Sequence, residues 1–138
     1  MHKAYVDGGC RPNPGRGAYG YILYDNRGRV IQRQNGSAGE NVTNNIAEYI
    51  AVLEALKAAK NMNIKNLAVF SDSQIIVKQL NGDYNVYEPR LQVLHREAMD
   101  LMHAFEKVAF VHIRRSQNRL ADALTNQYFG KTAEAGQQ

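Results

Sequence analysis

The pattern of hydrophobic and polar positions divides the chain into strands in its first third and into alternating strands and helices thereafter. Alternation and short apolar runs such as 66–72 predict strands at 3–7, 18–24, 29–38, 66–72 and 108–113, the first ended abruptly by Gly8-Gly9. Apolar residues every three or four positions predict helices at 43–56, 73–80 and 90–106, and a last helix capped by Asn118. This order predicts an α/β fold, a mixed five-stranded sheet of antiparallel hairpins followed by parallel strands, flanked by helices.

Glu48 is the unexpected residue of helix 43–56, because it is an acid among small apolar neighbours. With Thr43 or Asn44 as the N-cap, Glu48 lies one turn beyond Asn44 and Asn45, so the acid and both amides line one edge of the helix. An acid in the first turn also favours the helix dipole on any protein surface. The helix alone therefore leaves a capping role and a functional role equally open.

Three further acids occupy places where a functional site can form. Asp7 and Asp72 each end a predicted strand, and Asp122 falls in the first turns of the last helix. Ligands of such sheets bind beyond the carboxyl ends of the strands. Together with Glu48 these carboxylates would repel one another unless hard cations neutralised them. Oxygen ligands favour Mg²⁺ or Mn²⁺ over zinc. Two such ions, about 3.5–4 Å apart, would support hydrolysis of a phosphodiester by water.

A dinucleotide-binding fingerprint is formally present at Gly15-x-Gly17-x-x-Gly20, but that motif requires a helix directly after its glycines. A tyrosine-rich, β-prone stretch follows instead. We therefore reject a dinucleotide site and expect a turn, and a strand that another element approaches closely.

Composition fits a single domain. The chain has 138 residues, 44% of them hydrophobic, and can bury a core without disulfides or structural metal. We expect a domain over residues 1–130 and a polar, flexible tail over 131–138. Cys10 is the only cysteine, which excludes an internal disulfide, and the four histidines show no zinc-ligand spacing with it.

Charge and hydropathy add weaker constraints. A formal net charge of +4 fits a polyanionic partner without establishing one. No run approaches the length of a membrane span, and the first residues do not form a cleavable leader. We therefore expect a cytoplasmic protein without membrane association, monomeric and without an obligate protein partner.

Four short motifs follow one another between Tyr5 and Leu124: Y-V-D-G-G with N-P-G, T-N-N-x-x-E, S-D-S-Q, and N-x-x-A-D-A-L. In this order they resemble the successive motifs of type 1 ribonuclease H. The resemblance implies a ribonuclease H-like sheet and hydrolysis of the RNA strand of RNA/DNA hybrids, leaving 5′-phosphate and 3′-hydroxyl ends. It also implies that two Mg²⁺ or Mn²⁺ ions act with substrate. The metal-binding catalytic carboxylates would be Asp7, Glu48, Asp72 and Asp122.

The same resemblance implies a set of substrate contacts. Cys10, Asn13, Asn44, Asn45 and Gln74 match positions that touch the hybrid. Short amides can reach base edges and 2′-hydroxyls in the wide minor groove of an A-like duplex. Thr43 and Ser73 would suit phosphate contacts. Caps and turns are the alternative roles of these residues.

The chain departs from the best-known members of that family in three places. Residues 81–89 contain no cluster of Lys and Arg where those enzymes carry a basic protrusion, so the chain resembles a short form. It has no tryptophan for the DNA channel, where Tyr84 or Tyr87 could stack instead. The segment 114–117 lacks the mobile histidine of many members. Arg114 or Arg115 could contact the scissile or product phosphate there, or both could be solvated surface residues.

Two rival functions remain open. Another nuclease could use the same fold, such as a resolvase or a DNA endonuclease. A hybrid-binding module without catalysis is the second rival. The substrate-facing amides argue against the first, and the presence of all four acids argues against the second.

Overall fold

The computed structural model describes residues 1–137, with side chains described for residues 1–130. Its strands are β1 (His2–Arg11), β2 (Gly15–Tyr24), β3 (Val30–Val42), β4 (Asn66–Ser71) and β5 (Lys107–His112). Its helices are α1 (Asn44–Asn61), α2 (Gln74–Leu80), α3 (Pro89–Met102) and α4 (Arg119–Gln137), with a 3₁₀ turn at Arg115–Gln117. The predicted mixed five-stranded sheet flanked by helices is confirmed.

The strand order β3-β2-β1-β4-β5 makes β1 the centre of the sheet. β1 pairs antiparallel with β2 from Lys3 to Arg11, but it pairs parallel with β4 only as far as Tyr5. The predicted end of the first strand at Gly8-Gly9 is wrong, because the partner strand β2 carries β1 on to Arg11. Asp7 therefore lies inside a strand, two residues beyond the last parallel pair, at the point where β1 and β4 separate.

Two glycines allow α1 and α4 to pack directly on this central strand pair. A Cβ atom at Gly8 would lie 2.2 Å from the Ala47 carbonyl oxygen of α1. A Cβ at Gly20, which pairs with Asp7 across β1 and β2, would lie 2.8 Å from the Ala121 carbonyl oxygen of α4. Because neighbouring residues of a strand face opposite sides, α1 and α4 cover opposite faces. The close approach expected at the glycine-rich segment is confirmed at Gly20.

The core surrounds α1, which packs on the sheet on one side and on α3 on the other. α1 is buried on most of its sides, because its alanines and valines are buried as well as its larger apolar residues. The buried residues of α1 are Ile46, Ala47, Glu48, Tyr49, Ala51, Val52, Leu53, Ala55, Leu56 and Ala59. Tyr49 is fully buried and donates its hydroxyl to Gln79 Oε1 over 2.7 Å. Glu48 therefore lies within a fixed, apolar helix.

Several element ends differ from the predictions. α3 ends at Met102 rather than at Glu106, although Phe105 stays buried in the turn that follows. Asn118 precedes α4, but its side chain donates to the Val6 carbonyl oxygen over 2.8 Å instead of capping the helix. The side chains of the expected tail, 131–138, lie outside the described residues, and the boundary at 130 stays a prediction. Between residues 1 and 137, no helix is long and apolar enough to cross a bilayer.

Candidate active site

Three acids predicted from separate motifs meet at the point where β1 and β4 separate. Asp7, Glu48 and Asp72 each place a carboxylate oxygen within 4.8 Å of the other two. Asp7 is 7% exposed and Glu48 8% exposed, whereas Asp72 is half-buried. The fold thus holds three carboxyl groups together, two of them away from water.

Local structure explains how each of the three acids is positioned. Asp7 belongs to the central strand, Glu48 lies in the second turn of α1 directly after the close approach at Gly8, and Asp72 follows β4. The turn after β4 is ordered by Ser71, whose Oγ accepts a hydrogen bond from the Ser73 amide over 3.1 Å. Rigid elements and a short turn therefore fix the cluster.

Asp122 shares the cleft with this cluster but lies outside its 4.8 Å limit. It lies in the first turn of α4, and Asn126, one turn later, donates its amide to Asp122 Oδ2 over 3.4 Å. Thr125 Oγ1 contacts the Asp7 carbonyl oxygen at 3.4 Å, which ties this helix to β1. The structure therefore brings all four predicted acids into one cleft of about 490 Å³, three of them with carboxylate oxygens within 4.8 Å of one another.

Burial and the neighbouring acids make the charged forms of Asp7 and Glu48 unfavourable. Burial is the main cause that raises the pKa of Asp7 from 3.8 to about 7. Hydrogen bonding to Thr125 lowers this pKa, whereas the charges of Asp72 and Asp122 raise it. Burial also raises the pKa of Glu48 well above its ordinary value, and the charges of Asp7 and Asp72 add to that effect. Without a cation, the site therefore favours the protonated forms of Asp7 and Glu48, and ionising both acids costs electrostatic free energy.

One atom in the cluster indicates what would offset this cost. Glu48 Oε2 is buried and has no hydrogen-bond partner among the described residues. A buried carboxylate oxygen without a partner is costly, and hard divalent cations bind such oxygens. Since Asp7 and Asp72 oxygens lie within 4.8 Å, the donor set is all oxygen and fits Mg²⁺ or Mn²⁺ rather than a metal that prefers thiolates.

Four of the seven predicted substrate residues line the cleft: Cys10, Asn44, Asn45 and Ser73. Asn44 Oδ1 accepts a hydrogen bond from the Cys10 amide over 3.0 Å, which fixes the start of α1 against β1. The Asn44 NH₂ group has no partner among the described residues, so it is available to an acceptor in the cleft.

The other three predicted contacts are not part of the cleft lining. Thr43 is the N-cap of α1 and accepts a hydrogen bond from the Ile46 amide over 3.3 Å, which is the capping alternative. Asn13 Oδ1 accepts from Cys10 Sγ over 3.4 Å, and Gln74 is exposed in the first turn of α2. Tyr84 and Tyr87, considered for the DNA channel, also lie outside this lining and are exposed.

The two arginines of the segment before α4 occupy different positions. Arg115 lines the cleft, and its charge lowers the pKa values of Asp7 and Glu48. Both arginines are exposed, but Arg114 does not line the cleft. Of the two candidates for a phosphate contact, the geometry favours Arg115.

Sequence reasoning missed several residues of the cleft lining, namely Arg11, Thr125, Asn126 and Phe129. The last three follow Asp122 by three, four and seven positions, a spacing that shares one helix face and could have revealed them. Arg11 was missed because β1 was predicted to end before it. Its guanidinium lies 4.6 Å from the centre of the Phe129 ring and donates to Asn126 Oδ1.

Comparison with known proteins gives consistent results. Residues 5–128 match the family described as reverse transcriptase-like. The chain is 36% identical to ribonuclease HI of Halobacterium salinarum over 124 residues. It superposes on the crystal structure of RNase H1 from that archaeon with a TM-score of 0.90 at 34% identity, covering 94% of this chain and 98% of that one. LC11-RNase H1, solved in complex with an RNA/DNA hybrid, gives a TM-score of 0.90 at 32% identity, covering 96% and 99%.

Two curated relatives are much longer than the segment that aligns with this chain. The alignment covers 90% of this chain and 62% of the Halobacterium ribonuclease HI. A bifunctional protein of Mycobacterium tuberculosis is 30% identical over 130 residues, which are 94% of this chain and 36% of that protein. The chain therefore spans less than two thirds of either relative.

Proposed function

The chain belongs to the ribonuclease H family, and on that basis we propose that it is a metal-dependent endonuclease that hydrolyses the RNA strand of RNA/DNA hybrids. The products would carry 5′-phosphate and 3′-hydroxyl ends. The observation that carries this proposal is the acidic cluster, in which Asp7, Glu48 and Asp72 converge around a buried carboxylate oxygen without a partner.

The four acids would bind two Mg²⁺ or Mn²⁺ ions in the presence of substrate. When bound, such ions activate a water molecule and stabilise the leaving oxygen of a phosphodiester. Asp7 and Glu48 would hold their ligand oxygens in place because both are buried and belong to rigid elements. Asp122, on the more open side and oriented by Asn126, would complete the site as substrate enters.

Recognition of the RNA strand would come from the head of α1 and the neighbouring β1. Asn44 and Asn45 line the cleft beside Glu48, so an amide can reach a 2′-hydroxyl while the acid faces the metal. The 2′-hydroxyl is the group that distinguishes RNA from DNA at a given position. This juxtaposition supports cleavage confined to ribonucleotides.

Arg115 would contact the scissile or product phosphate. It lines the cleft among the acids, and a guanidinium can hold a phosphate through two hydrogen bonds. This role would belong to Arg115 rather than Arg114, because Arg114 is not part of the cleft lining.

A cleavage assay on strand-labelled substrates tests the proposal. The protein is incubated with Mg²⁺ and a hybrid labelled on either the RNA or the DNA strand, and in parallel with duplex RNA and single strands. Cleavage confined to the RNA strand of the hybrid, abolished by chelation and by Asp7→Asn, is the expected result. Cleavage that ignores the DNA partner would favour another nuclease activity, and tight hybrid binding without cleavage would favour a binding module.

A further inference from the structure

A second cavity, of about 390 Å³, adjoins the catalytic cleft along β1. We call it the aromatic cavity, and it is lined by Lys3, Tyr5, Tyr24, Gly28 and the segment 116–121. Because alternate residues of a strand face the same side, Lys3 and Tyr5 share the face of Asp7. The segment after β5 also joins the two cavities, since Arg115 lines the cleft and Ser116 lines the aromatic cavity.

Aromatic rings form one wall of this cavity. The Tyr5 ring stacks on Phe70 with a centroid distance of 4.8 Å and an interplanar angle of 13°, and meets Tyr24 edge-on at 5.6 Å. These contacts fix the orientation of Tyr5. Neither tyrosine hydroxyl has a hydrogen-bond partner among the described residues. The wall can therefore receive a planar ring and also donate or accept hydrogen bonds.

The charges at the rim are positive. Lys3 and Arg119 are exposed and form no ion pair with the described residues, although the Lys3 ammonium lies 5.9 Å from the centre of the Phe70 ring. No acidic residue contributes to the lining. The cavity is thus complementary to a ligand that carries an anionic group.

The amino-terminal end of α4 adds hydrogen-bond donors on the same side. The first backbone bond of this helix runs from the Asp122 amide to the Asn118 carbonyl oxygen over 3.1 Å. The amides of residues 119–121 have no partner among the described residues. Asn118 does not cap them, because its amide donates to Val6, and its buried Oδ1 has no partner. Free amides at a helix N-terminus favour an anion.

We propose that the aromatic cavity binds one unpaired nucleotide at the flank of the substrate. Its base would lie against Tyr5 and Tyr24, and its phosphate would contact Lys3, Arg119 and the free amides of α4. A nucleotide combines the planar ring and the anionic group that this lining requires. The inference rests on the proposed function, which brings a polynucleotide into the adjoining cleft.

An NMR titration tests the cavity independently of catalysis. Adenosine 5′-monophosphate is added to the metal-free, ¹⁵N-labelled protein, with adenosine and inorganic phosphate as separate probes. The amides of residues 119–121 should shift more with the nucleotide than with either fragment, and Arg119→Gln should weaken the response. Arg33→Gln is the matched control, because Arg33 is an exposed arginine on β3. Absence of shifts at 119–121, or an equal response in Arg119→Gln, would overturn the proposal.

A kinetic comparison then tests the role of the cavity with substrate. The KM of a blunt RNA/DNA hybrid is compared with that of the same hybrid carrying a short single-stranded extension, at the 5′ or the 3′ end of the RNA. One extension should lower KM by about fivefold or more. This ratio should approach one in Arg119→Gln and in Tyr5→Leu and persist in Arg33→Gln. Equal KM values for all substrates would contradict the cavity's role, whereas cleavage of no hybrid would contradict the proposed function instead.

Discussion

The two sides of the acidic cleft differ in their access to water. Asp7 and Glu48 are each less than a tenth exposed, and burial raises both pKa values. Asp72 and Asp122 are half-buried, the first in a turn and the second in the first turn of α4. The fold therefore places a buried pair of acids beside a more hydrated pair.

This difference indicates that the buried acids and the hydrated acids have different roles. The buried side cannot solvate its charges, so a cation bound there would relieve the electrostatic strain and bind at defined oxygens. The hydrated side can exchange water and substrate oxygens without a large desolvation cost. Substitutions on the buried side should therefore have the larger effects on turnover and on stability.

The largest effect should follow Asp7→Asn. Loss of this buried carboxylate would remove one of the proposed metal ligands, and metal ions contribute several kcal/mol of transition-state stabilisation. Turnover on a hybrid should fall by about 10³-fold or more, with the circular dichroism spectrum unchanged. Activity close to that of the unmodified chain would contradict the role of Asp7 as a metal ligand.

The same substitution should stabilise the metal-free protein at high pH. Folding raises the pKa of Asp7 from 3.8 to about 7, so protonation of this acid favours the folded state. This contribution to the free energy of unfolding is complete below pH 3.8 and is lost as pH rises through about 7. The neutral amide avoids that loss, so Asp7→Asn should raise the free energy of unfolding at pH 8 by roughly 2–4 kcal/mol. Urea denaturation with a chelator at pH 8 and pH 4 measures the difference.

At pH 4 the increase in the free energy of unfolding caused by Asp7→Asn should nearly vanish. At pH 8, Mg²⁺ should reduce this increase by stabilising the unmodified chain. A gain that is the same at both pH values would show that the burial of the Asp7 charge is not its cause.

On the hydrated side, Asp122→Asn should reduce turnover less than Asp7→Asn. We expect turnover to fall on the order of 10²-fold, because Asp122 lies outside the cluster of Asp7, Glu48 and Asp72. Water can replace part of the contact that Asp122 would make with a metal ion. Asn126→Ala, which removes the hydrogen bond to Asp122, should also lower the turnover rate, but by a smaller factor than Asp122→Asn. Single-turnover kinetics on one hybrid measure all three variants. Equal losses for Asp7→Asn and Asp122→Asn would remove the distinction between the two sides.

The smallest effect should come from Arg115→Gln. A charge-assisted hydrogen bond to phosphate contributes about 1.5–3 kcal/mol, which corresponds to a loss of roughly tenfold or more. Arg114→Gln is the matched control, because Arg114 lies outside the cleft lining and should leave the rate unchanged. Steady-state kinetics at saturating hybrid distinguish the two. The reverse ranking would assign the phosphate contact to Arg114.

The sequence was sufficient to predict the sheet and the placement of the acids, because these depend on local patterns. Strand and helix periodicity predicted the elements that carry Asp7, Glu48 and Asp72, although the Gly8-Gly9 pattern ended the first strand too early. Such patterns carry the side-chain direction and the order of elements. The family resemblance then linked the four acids to one site.

Features that depend on tertiary partners could not be predicted from the sequence. β1 extends to Arg11 because β2 pairs with it, so Arg11 in the cleft lining could not be inferred from the Gly8-Gly9 pattern. α1 is buried on most sides because α3 covers the face opposite the sheet. Asn118 resembles a cap in sequence but bonds to Val6, a residue 112 positions earlier.

A crystal structure with an RNA/DNA hybrid and Ca²⁺ tests the central claim most directly. Ca²⁺ accepts the same oxygen ligands and can bind the carboxylates without efficient turnover. We predict an ion in contact with Asp7, Asp72 and Glu48 Oε2, with the RNA strand across Asn44 and Asn45. A bound hybrid with no ion at these acids, and with Glu48 Oε2 still lacking a partner, would contradict the account.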